Sequence, residues 1–428
     1  QPAQILSYAI SGGADAGKFA IDAGSGVVSF ISPPDYEAPT DSDGDNVYLL
    51  QVTASDGVLS ATQDIAVSVA AVNDNTPVMT SANTANFAEN ATGAIMTVQA
   101  VDADLPSQSL AYSISGGVDA LRFAINATTG ALTFVNAPNF EAPTDASANN
   151  IYDVQVTASD GERAVSQSIA VSVTPVNDNA PVITSAATVN FAENATGTVI
   201  DVNATDADLP APLLTYSISA GADAAKFAIN ATTGVVTFVT APNYEAPTDV
   251  GADNVYNLQV TASDGARSTA QNIAVTVTPV NEYSPVFTSL ASVSFAENGT
   301  GTVLDVNAND ADLPAPTLTF SITGGADAAK FAINASTGIL TFVSAPNYEN
   351  PTDLGADNVY TLQVTASDGA RSATQAIAVT VTAVNEFAPV FSSAATASFA
   401  ENGLGTVLDV NATDADLPAP TLSYSITG

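Results

Sequence analysis

Val176-Asn177-Asp178-Asn179-Ala180-Pro181-Val182 ends one long apolar-alternating segment and begins the next. The same junction recurs at Asn73-Asp74-Asn75, at Asn281-Glu282-Tyr283 and at Asn385-Glu386-Phe387, each time after 104 residues. Glu89, Glu193, Glu297 and Glu401 keep that step, and so do Asp102, Asp206, Asp310 and Asp414. No insertion breaks the register, so the chain is a tandem array read from its period. A repeat of this length can bury a core of its own. The expected domains are 76–179, 180–283 and 284–387. A partial repeat at 1–75 lacks its first strands, and another at 388–428 holds first strands only. Residues 6–8 and 422–424 both read Leu-Ser-Tyr, so the chain starts and stops at nearly one phase of the repeat. That reads as a window cut from a longer array. The alternative is strand donation between chains, completing both ends into a filament.

Acids outnumber bases 44 to 7, for a formal charge of −37, and there is neither cysteine nor histidine. Such a surface repels nucleic acid and anionic lipid. No disulfide staples a repeat, which is compatible with an extracellular setting for domains of this size. The commonest general base and transition-metal ligand is missing, and no nucleophile elbow is present, so an enzyme is not expected. No apolar run is long enough to span a membrane. In 76–179, six of ten acids fall at recurring motif positions, so the charge is clustered.

Within that repeat, Pro77–Thr80 and Ala85–Ala88 read as a split first strand, and 94–101 as a second. Residues 110–114, 122–125, 131–135, 151–158 and 164–176 supply five more. Tyr152, Val154 and Val156 share one face; Ile169, Val171 and Val173 share another. Seven short strands with turn signals every 8–12 residues predict an all-β fold. It is a tandem array of seven-stranded antiparallel Greek-key β-sandwich domains, joined end to end. In that topology Asp102, Asp104 and Asp160 lie in loops at one end, and Glu89 and Glu141 at the other. Stacked repeats then face acids to acids across the linker. Calcium takes six to eight oxygens, from carboxylates, carbonyls and Asn side chains, and the clustered acids suit it.

Ala88-Glu89-Asn90, Asp102-Ala103-Asp104, Phe140-Glu141, Ala158-Ser159-Asp160-Gly161 and Val176-Asn177-Asp178-Asn179-Ala180-Pro181-Val182 together resemble the calcium motifs of cadherin repeats, in the same order. The resemblance covers the whole chain. The Tyr-Glu-Ala-Pro-Thr-Asp loop and the Ala/Thr-rich composition are most similar to cadherin-like repeats of large bacterial surface proteins. Carried onto this sequence, the resemblance implies four joints. The first would use Asp35, Glu37, Asn73, Asp74, Asn75, Asp102, Asp104 and Asp160. The second would use Glu89, Glu141, the Asn177 and Asp178 side chains, the Asn179 carbonyl, Asp206, Asp208 and Asp264. The third would use Glu193, Glu245, Asn281, Glu282, the Tyr283 carbonyl, Asp310, Asp312 and Asp368. The fourth would use Glu297, Glu349, Asn385, Glu386, Asp414 and Asp416. Two anionic positions of the family are missing from most joints. Ala71, Pro175, Pro279 or Ala383 stands where the family linker begins with Asp. Asn139, Asn243 and Asn347 stand where only Asp35 keeps an acid. A weaker or smaller calcium cluster is implied.

Each motif also has a plain structural reading. Ser159-Asp160-Gly161 makes a hairpin turn, Asp102-Ala103-Asp104 a solvated turn, and Asn-Asp-Asn an Asx-turn linker. Asp41-Ser42-Asp43-Gly44-Asp45-Asn46 resembles an acidic calcium loop, but the matching stretch at 145–150 is Asp-Ala-Ser-Ala-Asn-Asn. Lys18, Arg122, Lys226 and Lys330 precede Phe-Ala-Ile and read as strand-edge charges that discourage unwanted pairing. Asn-X-Ser/Thr triplets recur at Asn90, Asn126, Asn194 and Asn230 and support no assignment. The function expected is a calcium-rigidified extracellular stalk or filament segment of a surface or secreted adhesin, in cell–cell or biofilm attachment. Its partners would be calcium and copies of itself, end to end or side by side. A glycan- or protein-binding array is the alternative, with surface glycans or other adhesins as partners.

Overall fold

The computed structural model describes residues 5–428. Packing divides the chain into two units. One holds the residues up to Val182 together with Thr205–Leu214 and Ser263–Ser268; the other holds Ile183–Ala204, Thr215–Ala262 and Thr269–Gly428. The two short segments in the first unit carry Asp206, Asp208 and Asp264, so these acids pack with the end of the second repeat and its linker.

The second repeat shows how one sandwich is built. A four-stranded sheet runs in the order Ala111–Gly116, Ile151–Ser159, Ala164–Thr174 and Thr84–Ala88. A three-stranded sheet runs Phe123–Ile125, Ala131–Phe134 and Ala94–Thr97. The first strand is split, as its sequence indicates. Val78–Met79 pairs with Ala100–Val101, and the chain then crosses to lay Thr84–Ala88 beside Ala164–Thr174. That last pairing is parallel, the one departure from an antiparallel scheme in this repeat. The crossing is held by Gln167, whose Nε2 donates to the Ser81 carbonyl at 3.1 Å.

Period-two alternation places Tyr152, Val154, Val156 and Ala158 inside, opposite Ile169, Val171 and Val173, all nearly fully buried. Sheets pack because this apolar face leaves water. An aromatic trio fills the centre: Phe134 lies 4.7 Å from Phe123 and meets the Tyr152 ring edge-on at 5.1 Å. The Tyr152 hydroxyl is not stranded there, since it accepts from the Thr144 amide at 3.0 Å. The trio recurs as Phe19, Phe30 and Tyr48, as Phe227, Phe238 and Tyr256, and as Phe331, Phe342 and Tyr360. Gly117 turns the chain at φ 102°, where a Cβ would sit 2.5 Å from the Asp153 carbonyl oxygen; only glycine fits.

Several boundaries differ from expectation. The second strand is interrupted, because Ala94–Thr97 pairs with Ala131–Phe134 in one sheet and Ala100–Val101 with Val78–Met79 in another, with the fully buried Val98 between them. Arg122 does not open a strand; it closes a 3-10 turn, Ala120–Arg122. The final strand stops at Thr174, before Pro175, which has no amide to continue the ladder. The first repeat contributes Ser7–Gly12, Val47–Ser55 and Ser60–Ser68 in one sheet and Phe19–Ile21 with Val28–Phe30 in another. Beyond Asn385 the strands are Val390–Phe391 and Ala412–Thr413.

Candidate metal centre

The second repeat carries acids at both ends. At one end Asp102, Asp104 and Asp160 each bring a carboxylate oxygen within 4.8 Å of the others. At the other end Glu89, Glu141 and Asp178 do the same. Glu37, Asp74 and Asp104 form such a group at the first linker, and Glu193, Glu245 and Glu282 at the third. Residues as far apart in sequence as Glu89 and Asp178 thus meet, which requires the folded sandwich.

How each carboxylate is held separates its two oxygens. Asp160 Oδ1 accepts from the amides of Glu162 and Arg163, both at 2.7 Å, as a hairpin turn requires. Its Oδ2 is buried and has no partner. Asp102 Oδ1 accepts from the Asp104 amide at 3.0 Å, and its Oδ2 is again buried and unpartnered. The pattern repeats at Asp206 and Asp264, and at Asp310 and Asp368. Each residue therefore serves the turn with one oxygen and keeps the other buried and unpartnered. Glu141 behaves likewise: Oε1 accepts from the Leu209 amide at 3.2 Å across the joint, and Oε2 is buried without a partner. Glu245 and Glu349 copy it with Leu313 and Leu417.

Other residues hold the linker. Glu89 is buried, and its oxygens accept from the Phe140 and Val176 amides at 2.7 Å each, tying loop to linker. Glu193 and Glu297 do this in their repeats. Asp208 Oδ1 accepts from the Asp178 and Asn179 amides at 3.3 and 3.1 Å and from Asn179 Nδ2 at 2.8 Å. Asp104 receives Asp74 and Asn75 in the same way. Asp312 and Asp416 receive the amides of Glu282 and Tyr283 and of Glu386 and Phe387. Asn73, Asn177 and Asn281 help to lower the carboxyls of Asp160, Asp264 and Asp368, while Asn73 Nδ2 donates to Gln108 Oε1 at 2.8 Å. The Oδ1 atoms of Asn73 and Asn281 are buried without a partner.

These partners set the acidities. Burial works to raise Asp208, but the Asn179 side chain and the Asn179 and Asp178 amides outweigh it, so its carboxyl lies below the ordinary value. Asp104 is lowered for the same reasons. The Arg163, Arg267 and Arg371 amides, followed by those of Glu162, Ala266 and Ala370, lower Asp160, Asp264 and Asp368. Glu141 goes the other way. Burial raises it first, and Glu89 adds to the rise. Burial also raises Glu386, with Glu297, Glu349 and Asp416 contributing. The second joint thus combines lowered carboxyls, Asp208 and Asp264, with a raised one, Glu141.

The loop before the second acid is built on a side-chain turn. Asp35 Oδ1 accepts from the Glu37 and Ala38 amides at 3.0 Å, and Asn139, Asn243 and Asn347 cap the same turn. A short polar side chain there supports the loop whether or not it is charged. Sequence reasoning missed Asn90, Asn194 and Asn298, which donate to Asp178, Glu282 and Glu386. All three sit at positive φ, which Asn tolerates better than most residues, and the Glu-Asn pair was the available signal. It also missed that Asp119 and Asp145 are buried structural acids; Asp119 accepts from the Ala146 and Asp153 amides.

The donor set fits a hard cation: buried unpartnered carboxylate and amide oxygens, with no His, Cys or amine among them. No helix among the described residues is long and apolar enough to cross a membrane. The Cadherin domain profile matches residues 83–174, 187–278 and 291–382. The mouse protein Cadherin EGF LAG seven-pass G-type receptor 2 is 32% identical over 408 residues, covering 90% of this chain and 13% of its own. Human Protocadherin Fat 1 is 32% identical over 453 residues, covering 98% of this chain and 9% of its own. A Protocadherin gammaB7 EC3-6 structure superposes with a TM-score of 0.63 over 88% of this chain and 94% of that one, at 24% identity, a likeness of fold. The chain spans about a tenth of the length of these two relatives, which are animal proteins, so they lend no support to the expected bacterial likeness. With three copies of the family's domain and acids grouped at the linkers between them, the chain belongs to the cadherin family, as an extracellular, non-enzymatic segment of tandem cadherin repeats.

Proposed function

We propose that each joint binds calcium and that the bound ions fix one repeat against the next, making this segment a calcium-rigidified stalk or filament segment of an extracellular adhesion protein. The observation that supports it is the row of buried, unpartnered oxygens from Glu141, Asp206 and Asp264 around one linker. A buried acceptor without a donor is costly, and that cost is removed where a cation supplies the partner. When bound, calcium supplies charge neutralisation and a coordination shell. Without it Glu89, Glu141, Asp178, Asp206, Asp208 and Asp264 repel one another. Asn177, Asn179 and Leu209 orient the carboxylates, and the turns at Asp206 and Asp264 present one oxygen of each toward the linker. In this reading 76–179, 180–283 and 284–387 are the domains that calcium couples, with about two or three ions at each joint.

Attachment to other cells or within a biofilm is a finer setting. The Ala/Thr-rich composition supports a bacterial surface, and the relatives support an animal one. Calcium calorimetry, paired with small-angle scattering with and without chelator, tests the common core. Binding with a rise in maximum dimension is expected, and Asp206→Ala with Asp208→Ala should abolish the response at the second joint. No binding and an unchanged scattering curve would reduce the acids to surface charge.

A further inference from the structure

The first repeat holds an acidic group outside every joint. Asp41, Asp43 and Asp45 each offer a carboxylate oxygen within 4.8 Å of the others. Their loop is shaped by its own backbone. Asp41 Oδ2 accepts from the Asp45 amide at 2.8 Å, the Ser42 amide donates to Asp15 at 2.7 Å, and Asp45 Oδ1 accepts from the Val47 amide at 2.9 Å. A buried Asp at the position of Asp41 is common to all four repeats, as Asp145, Asp249 and Asp353. In those three, both oxygens are satisfied. Their Oδ1 atoms accept from the Asn150, Asn254 and Asn358 amides at 3.1 to 3.2 Å, and their Oδ2 atoms from residue 149, 253 or 357.

The first repeat differs at that atom. Asp41 is only 9% exposed, and its Oδ1 is buried with no partner. The repeat also differs in charge: Asp43 stands where the others have Ser147, Gly251 and Gly355. The buried unpartnered oxygen and the gained acid thus fall together in one loop, where the Asn46 amide still lowers the Asp41 carboxyl without reaching a hydrogen bond to Oδ1. Three converging carboxylates, one with a buried free oxygen, suit a hard divalent cation that prefers six to eight oxygens.

We propose that residues 41–46 form a calcium-class divalent cation site particular to the first repeat and independent of the joints. Asp41, Asp43 and Asp45 are its anionic ligands, and the remaining positions of the ion are left to water. The matching loops of the other repeats, with two acids or one, hold themselves closed through backbone amides and take no ion.

The test is native mass spectrometry of the full chain at limiting calcium, which counts bound ions per chain. Asp43→Ser installs the residue that the second repeat carries at Ser147 and removes a like charge beside Asp41 and Asp45, so thermal unfolding in chelator should match or exceed that of the unaltered protein. The expected result is the loss of one calcium per chain. The converse variant, Ser147→Asp with Asn149→Asp, is expected to gain one. Because Asp43 belongs to no joint, ions held there remain in both variants, and failure of the joints to bind would leave this comparison intact. An unchanged count in Asp43→Ser overturns the proposal.

Discussion

Replacing Glu141 with Gln should change stability in opposite directions with and without calcium. Gln keeps an acceptor for the Leu209 amide, which Glu141 Oε1 receives at 3.2 Å, so the local hydrogen bond survives. What changes is charge. Glu89 and Asp178 each place a carboxylate oxygen within 4.8 Å of one on Glu141. Coulomb's law at that separation gives about 1 kcal/mol per like-charge pair in water-like surroundings and about 3 kcal/mol at an effective dielectric near 20. Salt and partial exposure favour the lower figure. In chelator, Glu141→Gln should therefore raise stability by about 1 kcal/mol, or about 4 °C in melting temperature for a domain of this size. In calcium, the variant lacks one anionic ligand. An affinity loss of about tenfold removes about 1.4 kcal/mol of linked stabilisation at saturation. Scanning calorimetry in calcium and in chelator reads both signs. A shift of the same sign and size in the two buffers would refute the assignment of Glu141 Oε2 to a cation and leave the residue a plain loop anchor.

Acidification follows from the raised carboxyls. Glu141 and Glu386 have folded values above the unfolded one, so their contribution to metal-free stability is complete below the unfolded value and is lost as pH rises through the folded one. Asp104 and Asp208 are depressed, so theirs is present above the unfolded value and lost as pH falls through the folded one. Calcium affinity should thus weaken first as pH drops into the range of the raised glutamates, and a titration series showing constant affinity through that range would contradict it. Asn177→Ala should weaken calcium binding at the second joint several-fold while leaving the melting temperature in chelator nearly unchanged, because this side chain meets Asp264 and supports no sheet; isothermal calorimetry and melting separate the two effects. Ile169→Ala removes a side chain that is 1% exposed in the sandwich core, and should cost about 2–5 kcal/mol with or without calcium by denaturant unfolding.

The repeat period, the alternation in strands such as Ile151–Ser159, and the split first strand were legible in the sequence because each is a local pattern. The grouping of Asp102, Asp104 and Asp160 was legible too, since a sandwich topology dictates which loops share an end. The parallel pairing of Thr84–Ala88 with Ala164–Thr174 was not, because register between strands 80 and more residues apart leaves no local mark. Nor was the distinction between Asp119 and Asp160, two acids next to turns: one is buried with both oxygens bound to amides, and the other keeps an oxygen free. The sequence by itself determined the number of charges and the loops that carry them. Only the tertiary structure decided which oxygen of each carboxylate a backbone amide takes and which is left without a partner, because that choice depends on donors brought together from distant strands.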